Sequence, residues 1–138
     1  MSNRRIFHLS IPVHDLEIAM EFYTATLGAD SGRATDSWAD ALLWGHQITL
    51  QLRPDEVLPA EKQGKRHFGV VLPWNDWIYE EQRLRNLGTE FLSEPALHQE
   101  GTSNEHCKMY LGDPSGNVIE IKAYRDVQHT LGLPEIGT

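Results

Sequence analysis

The chain of 138 residues has a single cysteine, Cys107, so no disulfide can form within it and a disulfide-stapled scaffold is excluded. No apolar run approaches the roughly 20 residues that a membrane-spanning helix requires. The N-terminal stretch "MSNRRIFHLS" carries basic residues but neither the apolar core nor the small-residue cleavage site of a secretory signal. Cations are scarce as well. Twelve Lys and Arg face 20 Asp and Glu, a net charge of −8, and a protein that neutralises nucleic-acid phosphates needs the reverse. The clusters "NRR" and "KQGKR" are too short to change this. The absences together predict a cytoplasmic protein with neither a membrane nor a nucleic-acid partner. What remains is a chain with 40% hydrophobic residues, enough for one compact domain with a core. Seven histidines are many for this length, and the direction in which each points becomes the main question.

Two stretches share an order of features: "FHLSIPVHDLEIAMEFYTATLGAD" (7–30) and "HFGVVLPWNDWIYEEQRLRNLGTEF" (67–91). Each opens with a histidine at the head of a short apolar strand, passes a proline and a polar helix start, and stops at Leu-Gly. In the first, Asp15 is an N-cap, and Leu16, Ala19, Met20, Tyr23 and Leu27 share a helical face that ends at Gly28. In the second, Asn75 or Asp76 is the expected cap, with Trp77, Ile78, Leu84 and Leu87 on the apolar side and Gly88 as the stop. Short alternating segments follow each stop: about 29–34, 38–44 and 47–53, then 90–93, 106–111 and 118–124. Gly45-His46 and "DPSGN" are the expected hairpin turns. The chain therefore reads as one α+β domain, 1–138. Its parts are module 1 (about 6–53), a linker (54–66), module 2 (about 67–124) and an irregular tail (125–138).

Strand side chains alternate between faces. Phe7, Leu9, Ile11 and Val13 oppose His8 and Ser10; Ile48, Leu50 and Leu52 oppose Gln47, Thr49 and Gln51. Phe68, Val70 and Leu72 oppose His67 and Gly69. Cys107, Met109 and Leu111 oppose His106, Lys108 and Tyr110, and Ile119, Ile121 and Ala123 oppose Glu120, Lys122 and Tyr124. One face of every strand is apolar and suits packing beneath helices. The other is polar, as on any one-sided antiparallel sheet, except that here it carries His8, His67 and Glu120, one per strand. Two imidazoles and a carboxylate converging on a curved sheet form the ligand set of a metal site with open positions. A carboxylate in the middle of "VIEIKAY" costs several kcal/mol if ionised and unpaired, and a cation would hold it.

On "FHLSIPV-HDLEIAMEFYTATLGA", "HFGVVL" and "YLGDPSGNVIEIKAY", covering about residues 6–124, the chain resembles the vicinal oxygen chelate superfamily, which includes glyoxalase I, extradiol dioxygenases and fosfomycin-resistance transferases. The last stretch is close to the superfamily's "DP-G-x-x-x-E" signature. The resemblance implies two βαβββ modules forming an open, curved mixed-sheet barrel around one divalent metal, with His8, His67 and Glu120 as ligands and Gln51 nearest the place of a fourth. Glyoxalase I enzymes commonly present glutamate there, so an amide leans away from that activity. Two His and one Glu match instead the facial triad of non-haem iron(II) oxygenases. Tyr110, ten residues before Glu120, matches the spacing of the tyrosine that hydrogen-bonds the bound catecholate in extradiol enzymes.

The reading that follows is an extradiol-type dioxygenase acting on a catechol-like small molecule. Iron(II) is the expected ion, and manganese, nickel or zinc are the alternatives. Tyr110 would orient the substrate and His106 would act as base, while Lys122, on the same face as Glu120, reads first as a snorkelling surface lysine and otherwise as an offset for negative charge on the substrate. Two other classes compete. A Lewis-acid transferase or lyase would use the same ligands and a cationic pocket, for which Arg33, Arg53, Lys65 and Arg66 are available. A non-catalytic binding protein would typically lack the triad. Cys107 is expected to be buried, the four tryptophans to be core or interface anchors, and His14, His46, His98 and His129 to be exposed. A homodimer is expected from the size of family members, with His8 able to complete the partner's site.

Overall fold

A computed structural model describes residues 4–134. The described chain divides into two compact units, 4–66 with 112–117, and 67–111 with 118–134. Each is built on an open four-stranded mixed sheet, so the paired βαβββ organisation read from the sequence holds, and neither sheet closes on itself.

In the first unit the sheet contains β1 (His8–Val13), β2 (Asp30–Ala34), β3 (Trp38–Leu43) and β4 (His46–Leu52), in the order β1-β4-β3-β2. The β1–β4 pair is parallel, as a strand–helix crossover requires, and the others are antiparallel. Between β1 and β2 runs α1 (Leu16–Glu21), capped by Asp15, whose Oδ1 accepts from the Ile18 N–H at 2.9 Å. The helix widens into one π turn, Phe22–Thr26, before Gly28 takes a positive φ of 79° and ends it. Ala19, Tyr23 and Leu27 are buried against the apolar sheet face with Ile48 and Leu50. The β3–β4 turn is Trp44-Gly45, one residue earlier than the sequence suggested. Trp44 itself adopts φ 51° and Gly45 φ 79°, the two left-handed positions a tight hairpin needs. His46 is thus the first residue of β4, and its Nδ1 accepts the Phe7 N–H at 2.9 Å rather than facing solvent unbonded. Residues 54–66 are not purely irregular either: a 3₁₀ turn (Pro54–Glu56) and a helical turn, α2 (Ala60–Gln63), lie within them.

The "DPSGN" turn belongs to this unit. Asp113 is buried there, accepting from Ser115 N–H, Asn117 N–H, Asn117 Nδ2 and the Tyr23 hydroxyl, the last at 2.8 Å. Ser115 Oγ accepts the His14 N–H at 2.9 Å and also lies 2.6 Å from His14 Nδ1, so this histidine, although exposed, is tied down.

The second unit contains β5 (Phe68–Val71), α3 (Trp74–Asn86), β6 (Ser93–His98), β7 (His106–Gly112), β8 (Val118–Tyr124) and α4 (Val127–Leu131), with strand order β5-β8-β7-β6. The helix has Pro73 as its cap, two or three residues before the Asn75 or Asp76 expected. It buries Trp77 and Leu84 but leaves Ile78 and Leu87 exposed, so its packing stripe is narrower than read. Trp77 Nε1 donates to the Ile121 carbonyl at 2.9 Å, locking helix to sheet, and Ile119, Ile121, Met109 and Leu111 complete the core with Cys107. The strand expected at 90–93 lies later, at Ser93–His98, as an edge strand bulged around Pro95, where a residue without an N–H is tolerated. His98 is therefore on a strand. Val127–Leu131, in the tail read as irregular, form α4, with Asp126 capping it by accepting from the His129 N–H. No helix among the described residues is long and apolar enough to cross a membrane.

Candidate functional site

The alternation in "HCKMYLG" and "VIEIKAY" brings the chemistry of the second unit onto one sheet face. The β7–β8 ladder is fixed at its turn by Asp113 N–H to Asn117 O and at its far end by Arg125 N–H to Glu105 O. Between these two points Tyr110 falls opposite Glu120, Lys108 opposite Lys122, and His106 opposite Tyr124. On the other side β5 runs parallel to β8 with Gly69 opposite Glu120. Gly69 is required there, since a Cβ at this position would collide with the Glu120 carbonyl oxygen. His67 immediately precedes β5.

Glu120 is only 6% exposed. Its Oε1 lies 3.2 Å from Lys122 Nζ and 3.7 Å from His67 Nε2, and the Tyr110 hydroxyl hydrogen-bonds to the carboxylate. Burial pushes the carboxyl pKa up, but the hydrogen bonds from Tyr110 and Lys122, with the positive charge of Lys122 and then His67, outweigh it and hold the group below its ordinary value. The reciprocal effect falls on Tyr110. Its hydrogen bond to Glu120 first, then burial and the carboxylate charge, push the phenol up to about 12, so it is a neutral donor. The Tyr110 ring meets His67 edge-on at 5.7 Å. Lys122, expected on the surface, is instead half-buried and paired; the register places its stem on the same face as Glu120, and the carboxylate draws the ammonium in.

His106 Nδ1 lies 2.7 Å from the Asn104 carbonyl. A carbonyl only accepts, so Nδ1 donates there and Nε2 is the ring nitrogen left for other partners. The ring stacks on His98 at 5.2 Å and meets Tyr124 at 6.0 Å. The His98 imidazole is pushed below its ordinary pKa by desolvation first, then by the charges of Lys108 and His106. A cavity of about 280 Å³ opens beside these groups, with Glu120, His106, Lys108, Lys122 and Tyr124 in its wall.

The polar face of the first unit is differently built. His8 is exposed, and its ring bonds to no described residue. Gln51 donates from Nε2 to Ser10 Oγ at 3.2 Å. Counted from the leading histidines, Ser10 is opposite Thr49 as Gly69 is opposite Glu120. Thr49, then, occupies the position corresponding to Glu120, and Gln51 that of Lys122. A residue that the sequence reading passed over is Asp40 on β3, buried at 3% exposure, which accepts from Thr49 Oγ1 at 2.7 Å and Gln47 Nε2 at 3.0 Å. The signal was present: in "WADALL" it is the one acid, in phase with Trp38 and Leu42.

His67 and Glu120 thus stand together on the second unit, with Tyr110 and, beside the cavity, His106; His8 and Gln51 stand on the first. No group of three His, Cys, Asp or Glu side chains able to hold an ion is found among the described residues. The donors nonetheless fit one side of a divalent ion. A buried, ionised carboxylate that already faces an ammonium and an imidazole is suited to a cation, and an oxygen donor beside an imidazole nitrogen suits iron(II), manganese, nickel or zinc.

Residues 5–121 match the family model described as the glyoxalase/bleomycin resistance protein/dioxygenase superfamily, and the chain belongs to that superfamily. A crystal structure of a glyoxalase/bleomycin resistance protein/dioxygenase from Alicyclobacillus acidocaldarius superposes with a TM-score of 0.83 at 28% identity, covering 95% of this chain and 99% of that one. The fosfomycin resistance protein FosX from Listeria monocytogenes shares the fold, with a TM-score of 0.71 at 15% identity over 94% of this chain and 99% of its own. Virulence protein STM3117 of Salmonella typhimurium is 28% identical over 126 residues, 87% of this chain and 84% of that protein.

Proposed function

We propose that the chain is a metal-dependent enzyme that binds a small substrate through two neighbouring oxygens, with extradiol-type cleavage of a catechol-like ring by O₂ as its reaction. The observation that carries this reading is the Tyr110–Glu120–His67 cluster: a protonated phenol, a buried carboxylate and an imidazole on one sheet face. In this reading His67 and Glu120 hold the ion, and iron(II) is the ion that supplies the redox chemistry when bound.

The chain's own groups then have separate tasks. Tyr110, neutral because its pKa is pushed up to about 12, donates a hydrogen bond to a substrate oxygen and orients it. His106, with its Nδ1 proton committed to the Asn104 carbonyl, offers Nε2 to accept a proton from the second substrate hydroxyl. Lys122 offsets negative charge beside Glu120.

The test is metal content of anaerobically purified protein, wild type beside Glu120→Ala, followed by oxygen uptake with a panel of catechols. Stoichiometric iron that the substitution abolishes, with uptake in the wild type, supports the reading. Manganese, nickel or zinc bound through Glu120 without oxygen uptake replaces it with a Lewis-acid transferase or lyase, a reading the two lysines in the cavity wall favour. Absence of metal from both proteins after reconstitution leaves a binding protein. Homodimerisation is proposed from family size alone, and light scattering on the eluting peak tests it.

A further inference from the structure

The chain has four lysines, Lys62, Lys65, Lys108 and Lys122, and two of them stand directly opposite each other on β7 and β8. Like charges in such a pair destabilise a sheet, so their pairing requires an offset. For Lys122 it is Glu120, 3.2 Å away. Lys108 has no carboxylate partner among the described residues; its ammonium lies over the Tyr110 ring, 5.9 Å from the centroid. Both lysines line the cavity of about 280 Å³, together with the neutral hydrogen-bonding groups of Gln99, Asn104 and Tyr124. Glu120 is the single acid in that wall, and it is already shared between Lys122, Tyr110 and His67. The cavity is therefore locally cationic in a chain whose net charge is −8, and a cleft of one sign concentrates ligands of the other.

We propose that this cavity binds an oxyanion group of the substrate, a carboxylate or a phosphonate, with Lys108 as the principal contact and Lys122 beside it. The substrate class becomes an anionic small molecule whose charged group enters at Lys108 while its reacting oxygens lie toward Glu120. The inference rests on the reading of this face as the substrate site, but on neither the metal's identity nor the reaction.

Calorimetric titration of the metal-loaded protein with catechol and with 3,4-dihydroxybenzoate tests it. The carboxylated probe is expected to bind at least about tenfold more tightly, as one charge-assisted contact provides. Lys108→Met should remove most of that difference without changing metal content or melting temperature, and Lys62→Met, on the other unit, should not. Lys108→Gln repeats the test should the Met variant be unstable. Displacement of bound 3,4-dihydroxybenzoate by methylphosphonate alone, by acetate alone or by both tells which anion the site accepts. Equal affinity for the two catechols, no binding of either, displacement by neither anion, or equal effects of Lys108→Met and Lys62→Met would overturn the proposal. A charge-dependent affinity without oxygen uptake would sink the dioxygenase reading and leave the anion site standing.

Discussion

In the first module the position opposite Asp40 on the neighbouring strand is filled by Thr49; in the second, the corresponding pair is Tyr110 and Glu120. Both modules place one carboxylate and one hydroxyl across the same strand pair, but they exchange strands. Asp40 is closed on itself, with one oxygen taken by Thr49, the other by Gln47, and Arg33 at 3.8 Å beyond. The two neutral side chains that satisfy both oxygens rigidify the sheet and leave little room for a ligand. Glu120 faces an ammonium, a phenol and an imidazole, groups that can be traded for an ion or a substrate oxygen. Which strand carries the acid therefore separates a carboxylate closed on its own neighbours from one that faces a cation and an imidazole.

The two modules should differ most at Gly69 and Ser10, the residues opposite Glu120 and Thr49. Gly69→Val drives a side chain into the Glu120 carbonyl and should cost about 3 kcal/mol, whereas Ser10→Val, at an exposed position, should stay within about 0.5 kcal/mol. Thermal melts compare the two, and similar costs would mean the modules do not correspond as described. Next comes Asp40→Ala, which strands Thr49 and Gln47 and should cost about 2 kcal/mol while metal content is retained. Glu120→Ala should cost a similar amount in the metal-free protein, because it takes a buried acceptor from Tyr110 and Lys122, but here metal binding should be lost. Parallel denaturant curves and elemental analysis separate these outcomes.

The smallest effect is electrostatic. The hydrogen bond to Glu120 raises Tyr110 from its ordinary 10.0 to about 12, so its stabilisation is intact below pH 10 and disappears as pH rises through the folded value. The Glu120 pKa is lowered from 4.5, so its contribution is present above that pH and is lost as pH falls through the folded value. Burial and Asp113 also raise Tyr23 well above its ordinary value, so ultraviolet titration of the metal-free protein should show more than one late-ionising tyrosine, and Glu120→Gln should bring only Tyr110 back from about 12 toward 10.

The repeat, the helix stops at Gly28 and Gly88, and the two faces of β7 and β8 were all legible, because period and glycine placement are local signals. What was not legible depended on register between strands. Phase alone placed Lys122 on the right face but could not show that Glu120 would hold it there, nor that Lys108 would stand opposite. Likewise, counting along the chain made Gln51 the nearest candidate for a fourth ligand, whereas cross-strand register gives the equivalent place to Thr49. The hairpin at Trp44-Gly45 was missed because a tryptophan at positive φ is a poor turn signal. His98 was missed because the bulge at Pro95 shifts its strand toward the C-terminus.

The Asp113 hub has a consequence in time. Tyr23 and its acceptor are separated by 90 positions, and His14 and Ser115 by 101, yet all four belong to the first compact unit. As the polypeptide leaves the ribosome, the N-terminal 66 residues emerge long before the six-residue insert at 112–117 that completes them. Until then the tyrosine hydroxyl under the first helix has no buried acceptor, and the closing of this long loop makes its assembly slow. Cutting the gene between the two modules would therefore yield a first half that waits for a turn it no longer encodes.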